Sequence, residues 1–234
     1  NITNLTWSEG RHNVTVYAND TNNNVNFTTI SFTVDTFGPN ITFVTPTMAT
    51  GNYSRNSINV NVTSSDALTS VSGINISLHN STGIYQSNFS SISLFFVNFT
   101  SLSDGTYKLN ATANDALNNR NFTETRTITL DTTNPSITSV TENPSDSSTY
   151  LLNQIYEFNA TITDTNLDSV IIELNHTNYS VVNSVGNVYN FTISGLGAGT
   201  YDYKWYANDS AQNANTTSGT YTINLTVTDN KSSS

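Results

Sequence analysis

Asp104-Gly-Thr-Tyr-Lys-Leu-Asn-Ala-Thr-Ala-Asn-Asp115, in the middle of the chain, is the stretch whose reading decides the fold. Tyr107, Leu109, Ala111 and Ala113 alternate there with Lys108, Asn110, Thr112 and Asn114. A β-strand sends successive side chains to opposite faces, so the stretch makes one apolar and one polar face. It occurs twice more, as Glu9-Gly-Arg-His-Asn-Val-Thr-Val-Tyr-Ala-Asn-Asp20 and as Ala198-Gly-Thr-Tyr-Asp-Tyr-Lys-Trp-Tyr-Ala-Asn-Asp209. In the last copy Tyr201, Tyr203, Trp205 and Ala207 take the inner positions. The copies start about 95 residues apart, too far for a solenoid repeat and close to one β-sandwich domain of about 100.

Each copy ends in Ala-Asn-Asp and polar turn residues, and a second alternating run follows: Phe27 to Val34, Phe122 to Leu130, Thr217 to Leu225. Two such runs joined by a polar turn read as a hairpin. Five positions before the aromatic of each copy sits an apolar residue: Trp7 before His12, Leu102 before Tyr107, Leu196 before Tyr201. Leu-x-Asp-Gly-x-Tyr resembles the tyrosine corner of immunoglobulin-like sandwiches, where a Tyr hydroxyl bonds back to the preceding backbone. The resemblance makes Tyr107 and Tyr201 corner residues. The first copy has His12 in that place, and the third has a longer, glycine-rich lead-in.

The rest of the chain reads outward from these hairpins. Asp35-Thr-Phe-Gly-Pro39 and Asp131-Thr-Thr-Asn-Pro135 are short linkers, stiffened by a proline that also holds the residue before it extended. After each comes a strand (Ile41 to Val44; Ile137 to Val140), then Ile58 to Val62 and Ile155 to Ile162, then Ile74 to Leu78 and Val170 to Leu174. Short polar segments cover about 80–90 and 177–185, and Leu94 to Phe99 and Val188 to Ile193 lead into the hairpins. This organisation predicts an all-β chain of tandem immunoglobulin-like antiparallel sandwiches arranged end to end. Residues 1–35 are the C-terminal part of an incomplete unit, 36–131 and 132–226 are complete domains, and 227–234 are a tail or linker. Two or three strands cannot bury a sheet face alone, so the first unit is completed by the same chain upstream or by another chain.

Composition narrows the function. There are 7 Lys+Arg against 17 Asp+Glu, for a net charge of −10, which speaks against nucleic-acid binding and its need for a basic face. There is no Cys, so the cores have neither disulfide nor Cys-based metal site. No apolar run reaches the roughly 18 residues of a membrane helix, and the start does not read as a signal peptide. Asn is present 37 times and Ser+Thr 69 times, and the acceptor pattern Asn-x-Ser/Thr occurs 22 times. Strand alternation alone places Thr two residues after an exposed Asn. Read as function, the same pattern is dense N-glycosylation of an extracellular, cell-surface protein. The candidate acceptors are Asn13, Asn26, Asn40, Asn61, Asn75, Asn80, Asn88, Asn98, Asn110, Asn121, Asn159, Asn175, Asn178, Asn190, Asn215 and Asn224.

Gly-Thr-Tyr at 105–107 and 199–201, Ala-Asn-Asp at 113–115 and 207–209, and Asp-Thr-Thr-Asn-Pro at 131–135 carry a further resemblance. The units look like tandem immunoglobulin-like domains of prokaryotic surface proteins: adhesins, surface-layer-associated proteins and filaments. The Asn-rich, Cys-free composition is similar to archaeal examples in particular. The scaffold hosts many tasks, so the resemblance speaks to fold more than to function.

Catalytic motifs do not assemble. His12, His79 and His176 fall at unrelated repeat positions, and no nucleophile elbow, phosphate loop or His-Glu-x-x-His occurs. Glu142, Glu157 and Glu173 neither recur nor cluster, so no enzyme is expected. The carboxylates that recur are aspartates. In a sandwich the loops at the end where the linker enters gather Asp35, Asp66 and Asp115 in one unit, and Asp131, Asp164, Asp168 and Asp209 in the next. Such a set suits Ca²⁺, which takes about 6–8 oxygen ligands, and the resemblance to calcium-binding adhesin repeats points the same way. Asp is also a good turn residue, bonding its own backbone. Tyr17, Tyr179, Tyr206 and Phe95 are candidate outward aromatics for carbohydrate contact, scattered over different units. The reading that results is a structural segment of a glycosylated extracellular rod, an adhesin or surface-protein stalk, whose partners are further domains of its own kind. The alternative is a subunit of an extracellular filament assembled by β-strand complementation between chains.

Overall fold

The computed structural model describes residues 5–226, without the side chains of 182–184. The expected tail at 227–234 lies outside the described residues. Every regular element among the described residues is a β-strand. A first hairpin pairs β1 (Gly10–Asn19) with β2 (Val25–Val34) and stands as a two-stranded sheet of its own. Next come β3 (Asn40–Phe43), β4 (Gly51–Tyr53), β5 (Ile58–Ser65), β6 (Val71–Asn80), β7 (Gly83–Ser90), β8 (Phe95–Phe99), β9 (Gly105–Asp115), β10 (Arg120–Phe122) and β11 (Arg126–Leu130). These form a three-stranded sheet, β3-β5-β8, and a sheet in the order β4-β11-β9-β6-β7, with β10 added to β9.

The remaining strands are β12 (Ser136–Asn143), β13 (Ser148–Thr149), β14 (Ile155–Thr163), β15 (Leu167–Leu174), β16 (Thr177–Ser180), β17 (Val182–Val185), β18 (Val188–Ser194), β19 (Gly199–Asp209) and β20 (Ala214–Asn224). They repeat the arrangement as β12-β14-β18-β17 and β13-β20-β19-β15-β16. Compact packing divides the chain into Asn1–Gly51 with Ser57–Ile128, and Asn52–Asn56 with Thr129–Ser234.

The alternation read from the sequence is what fills each core. In the first unit Val60 and Val62 of β5, Ile74, Ile76 and Leu78 of β6, and Leu109, Ala111 and Ala113 of β9 are fully buried. The second core is aromatic. Phe158 of β14 meets Tyr203 of β19 edge-on, ring centroids 5.2 Å apart, and Tyr221 of β20 at 5.3 Å. Such edge-to-face pairs contribute about 0.5–1.5 kcal/mol each beyond their buried area.

Three local features depart from the sequence reading. The second run of the first complete unit, expected unbroken from Phe122 to Leu130, splits into β10 and β11 around Thr123. There the Thr123 hydroxyl accepts from the Ala111 N–H at 2.9 Å, replacing a ladder bond. The short strands β4 and β13 were not anticipated; β13 lies parallel to β20, a pairing that no hairpin signal announces. Phe95 is not an outward aromatic: it stands opposite buried Val62 and faces inward, leaving Phe96 outside.

Candidate functional site

The corners come first, because they place everything after them. The Tyr107 hydroxyl donates to the Ser103 carbonyl at 2.9 Å, and Tyr201 to the Gly197 carbonyl at 3.0 Å. Burial, with smaller contributions from Tyr85 and Asp104, pushes the Tyr107 hydroxyl up from its ordinary value, so it stays a donor. His12 makes the same backward span: its Nε2 lies 2.7 Å from the Ser8 carbonyl, also four residues upstream. All three copies therefore enter the strand through one side-chain bond to the carbonyl at i−4.

Each corner strand ends in an aspartate that closes the next turn. Asp115 accepts from the N–H groups of Leu117 and Asn119, both at 2.8 Å, and from the Asn119 side-chain amide at 2.8 Å. The same amide nitrogen donates to the Asp35 carbonyl at 2.9 Å, tying the linker to the turn. In the second unit the Asn213 amide bonds Asp209 at 2.6 Å and the Asp131 carbonyl at 2.9 Å. In the hairpin, Asp20 and Asn24 form the same turn, amide to carboxylate at 2.8 Å. Asn24, Asn119 and Asn213 were missed in the sequence, although Asp-x-x-x-Asn recurs at all three turns.

These clasps draw carboxylates together. Asp35, Asp66 and Asp115 form one triad, and Asp131, Asp164 and Asp209 the other; in each, one carboxylate oxygen per residue lies within 4.8 Å of the others. Asp168 does not join. It is the extra residue of a β-bulge between the Leu167–Asp209 and Ser169–Asn208 pairs, and it is exposed. The equivalent bulge residue of the first unit, Ser72, donates instead to the Asp115 carbonyl at 2.6 Å.

The two triads differ electrically. Bonds from the Thr69 and Leu68 N–H groups and the Thr69 hydroxyl hold Asp66 below its ordinary pKa, against some burial and the charge of Asp115. Burial pushes Asp115 up, but the bonds from Asn119 and Leu117 outweigh it and leave it lowered. Asp164, the counterpart of Asp66, is raised: burial acts first, its one bond from the Asn166 N–H opposes, and Asp131 and Asp209 add repulsion. Asn166 spends its side-chain amide on Asp131, at 2.5 Å.

The aromatics divide as well. Tyr179 packs on Phe191, centroids 4.7 Å apart, and joins the core rather than the surface. Tyr17 is exposed beside Phe27. Tyr206 faces outward and donates to Glu173 at 2.8 Å, with the Lys204 ammonium 4.8 Å from its ring. Among the acceptor asparagines, Asn61, Asn75, Asn80, Asn110, Asn159 and Asn190 are half-buried and the other ten are exposed.

Two sheets of alternating strands per unit, the corner bond and the absence of any helix among the described residues settle the architecture. The chain is a tandem of immunoglobulin-like sandwiches. A family model described as bacterial Ig-like domain (group 3) matches residues 93–184, from β8 of the first sandwich to β17 of the second. No curated protein matches the chain. Among solved structures, the fibronectin(III)-like modules of Clostridium thermocellum CbhA are similar at 16% identity and TM-score 0.41, covering 79% of this chain and 94% of that one. A segment of a 1.5-MDa bacterial ice-binding adhesin is similar at 16% identity and TM-score 0.37, covering 94% and 76%. The titin A168–A169 pair is similar at 8% identity and TM-score 0.34, covering 82% and 100%. Among the described residues no helix is long and apolar enough to cross a membrane.

Proposed function

We propose that the chain is a structural segment of an extracellular surface rod, a stalk rather than a catalyst. The observation that supports this most is the repeated clasp, Asn119 to the Asp35 carbonyl and Asn213 to the Asp131 carbonyl. Each unit pins its own entering linker to its own turn. In this reading the β1–β2 hairpin closes a further sandwich. Its apolar inner face (Val14, Val16, Ile30, Phe32) takes the place that buried residues of β9 and β19 take in their units.

The surface is N-glycosylated at exposed acceptors, Asn13, Asn40, Asn88, Asn98 and Asn178 among them. Each Asp triad takes a Ca²⁺ ion, which would neutralise carboxylates that have no Lys or Arg ion-pair partner among the described residues. Intact-mass measurement and glycopeptide mapping of the native protein test the surface assignment; a native protein without sugar on any of these residues removes it. Ca²⁺ added after chelation should raise the melting temperature, and an unchanged curve ends the calcium assignment.

The uncovered face of the β1–β2 hairpin also favours a second reading, a filament in which a neighbouring chain supplies the covering strands. Light scattering of the native protein separates the two. A mass that stays monomeric as concentration rises supports the rod, and concentration-dependent growth supports the filament.

A further inference from the structure

The outer face of the first unit carries a groove that the rod reading does not use. Strand register lines up Phe89, Asn75, Thr112 and Phe122 in one row across β7, β6, β9 and β10. With strands about 4.8 Å apart, the two phenylalanines stand about 14 Å from each other at either end of a polar floor. Both rings are open to solvent, 70% exposed for Phe89 and 57% for Phe122. The next row is Gly73, Asn114 and Arg120. The Phe89 ring lies across Gly73; a Cβ there would sit 2.4 Å from a ring carbon. The Arg120 guanidinium lies 5.0 Å from the Phe122 ring centroid. Between Phe89 and Arg120 is a groove of about 250 Å³, lined by these residues other than Phe122 and by Ser72.

The second unit shows that the fold does not require this arrangement. Its matching row is Ser180, Ile171, Tyr206 and Thr216. The apolar groups are on the floor and the hydroxyls at the ends, and Tyr206 is already bonded to Glu173. Ser169 and Ala214 stand at the positions of Gly73 and Arg120. The glycine, both phenylalanines and the arginine are therefore specific to the first unit.

We propose that this groove binds a uronate-bearing saccharide. An exposed phenyl face suits the C–H face of a sugar ring, and side-chain amides and hydroxyls supply donors and acceptors for its hydroxyls. The acidic group follows from Arg120. Its planar fork matches a carboxylate, it has no carboxylate partner among the described residues, and no acidic residue lines the groove. Asn75 serves as floor rather than as a glycan acceptor, since its amide nitrogen donates to the Ser77 hydroxyl at 3.1 Å.

The test is calorimetric titration of the whole chain with trigalacturonate, alongside the neutral galactose trimer and a triglutamate peptide. Saturable binding of trigalacturonate is expected, with both controls at least about tenfold weaker, and amide NMR shifts centred on Asn75, Thr112 and Asn114. Phe89→Ala and Arg120→Gln should each weaken binding at least about tenfold, which is about 1.4 kcal/mol. Gly73→Ala should weaken it too, by displacing a ring that remains present; all three sites are at the surface or meet only a movable ring, so folding is checked by the unchanged melting curve. No binding, equal binding of either control, insensitivity to Phe89→Ala and Arg120→Gln, or a native glycan on Asn75 would each overturn the assignment.

Discussion

The β1–β2 and β19–β20 hairpins are built from the same stretch and end differently. Both enter through a bond to the carbonyl at i−4, from His12 and from Tyr201. Both turn on an Asp–Asn pair, Asp20 with Asn24 and Asp209 with Asn213. Both alternate. Yet Val16 is 56% exposed, while Trp205 at the equivalent inner position of its own hairpin is 0% exposed. The difference is a second sheet: β12-β14-β18-β17 supplies Tyr156, Phe158 and Phe191 to cover the β19–β20 face. Alternation decides which side chains share a face. Burial, and the roughly 1.5–3 kcal/mol that covering a large apolar side chain contributes, comes only with the opposing layer.

The largest effects should follow that layer. Trp205→Ala removes a fully buried indole and is expected to cost about 3–5 kcal/mol in denaturant unfolding of the second unit. In this 234-residue chain alone, Val16→Ala should stay within about 0.5 kcal/mol, as surface changes do. A large cost at Val16 in the native protein would mean that its inner face is covered there, and would identify the hairpin as one edge of a complete sandwich.

The turns sharpen the comparison one step further down. Asp115→Ala leaves the Leu117 and Asn119 N–H groups and the Asn119 amide without their acceptor at a buried position. About 1–3 kcal/mol is expected from such a loss, read as a lower unfolding midpoint. Asp20→Ala removes the equivalent bonds in the open hairpin, where water replaces them, and should move the midpoint much less. Equal effects would show that the clasp to the Asp35 carbonyl adds nothing.

What was legible in the sequence follows the same division. The faces of β9 and β19 and the corner tyrosines could be read, because both depend on spacing within one strand. The inward turn of Phe95 could not: Phe95, Phe96 and Val97 are all apolar, and only the register opposite Val62 decides which face each takes. Nor could Asp168, whose exclusion from the triad depends on a bulge fixed by pairing with β19. Phe89 and Phe122 lie 33 positions apart in the sequence and share a row only through two intervening strands. The Asp-x-x-x-Asn signal was present and periodic; recognising it needed only the turn read together with the strand.

Corner bonds should show a smaller version of the burial contrast. Tyr107→Phe removes one hydroxyl bond from a buried ring and leaves the Ser103 carbonyl to find water. A cost of about 0.5–1.5 kcal/mol is expected. Tyr201 is only half-buried, so Tyr201→Phe should cost less when the two units are followed by separate probes. If the order reverses, the corner stabilises by orienting its loop rather than by its buried bond.

The smallest expected effect has the opposite sign. Asp115 and Asp66 have folded pKa values below the ordinary aspartate value of about 3.9. The unfolded chain therefore takes up protons first as pH falls. Their stabilising contribution is complete above the unfolded pKa and disappears as pH drops through the lower folded values. Asp164 is raised, chiefly by burial and then by its neighbours Asp131 and Asp209. Its ionised form is disfavoured in the folded state, so it costs stability at neutral pH and stops doing so as pH falls through its raised pKa. Asp164→Asn keeps an oxygen for the Asn166 N–H and removes the charge. It should raise the melting temperature at neutral pH, with solvent screening holding the gain below about 1 kcal/mol. The gain should vanish below about pH 3, where the wild-type carboxyl is itself protonated. The same scan on Asp66→Asn should show a loss at neutral pH, which also vanishes in acid. Matching signs at the two positions would mean that the triads are electrically alike. Opposite signs would mean that one turn residue, Thr69 against Asn166, decides whether a third carboxylate is welcome.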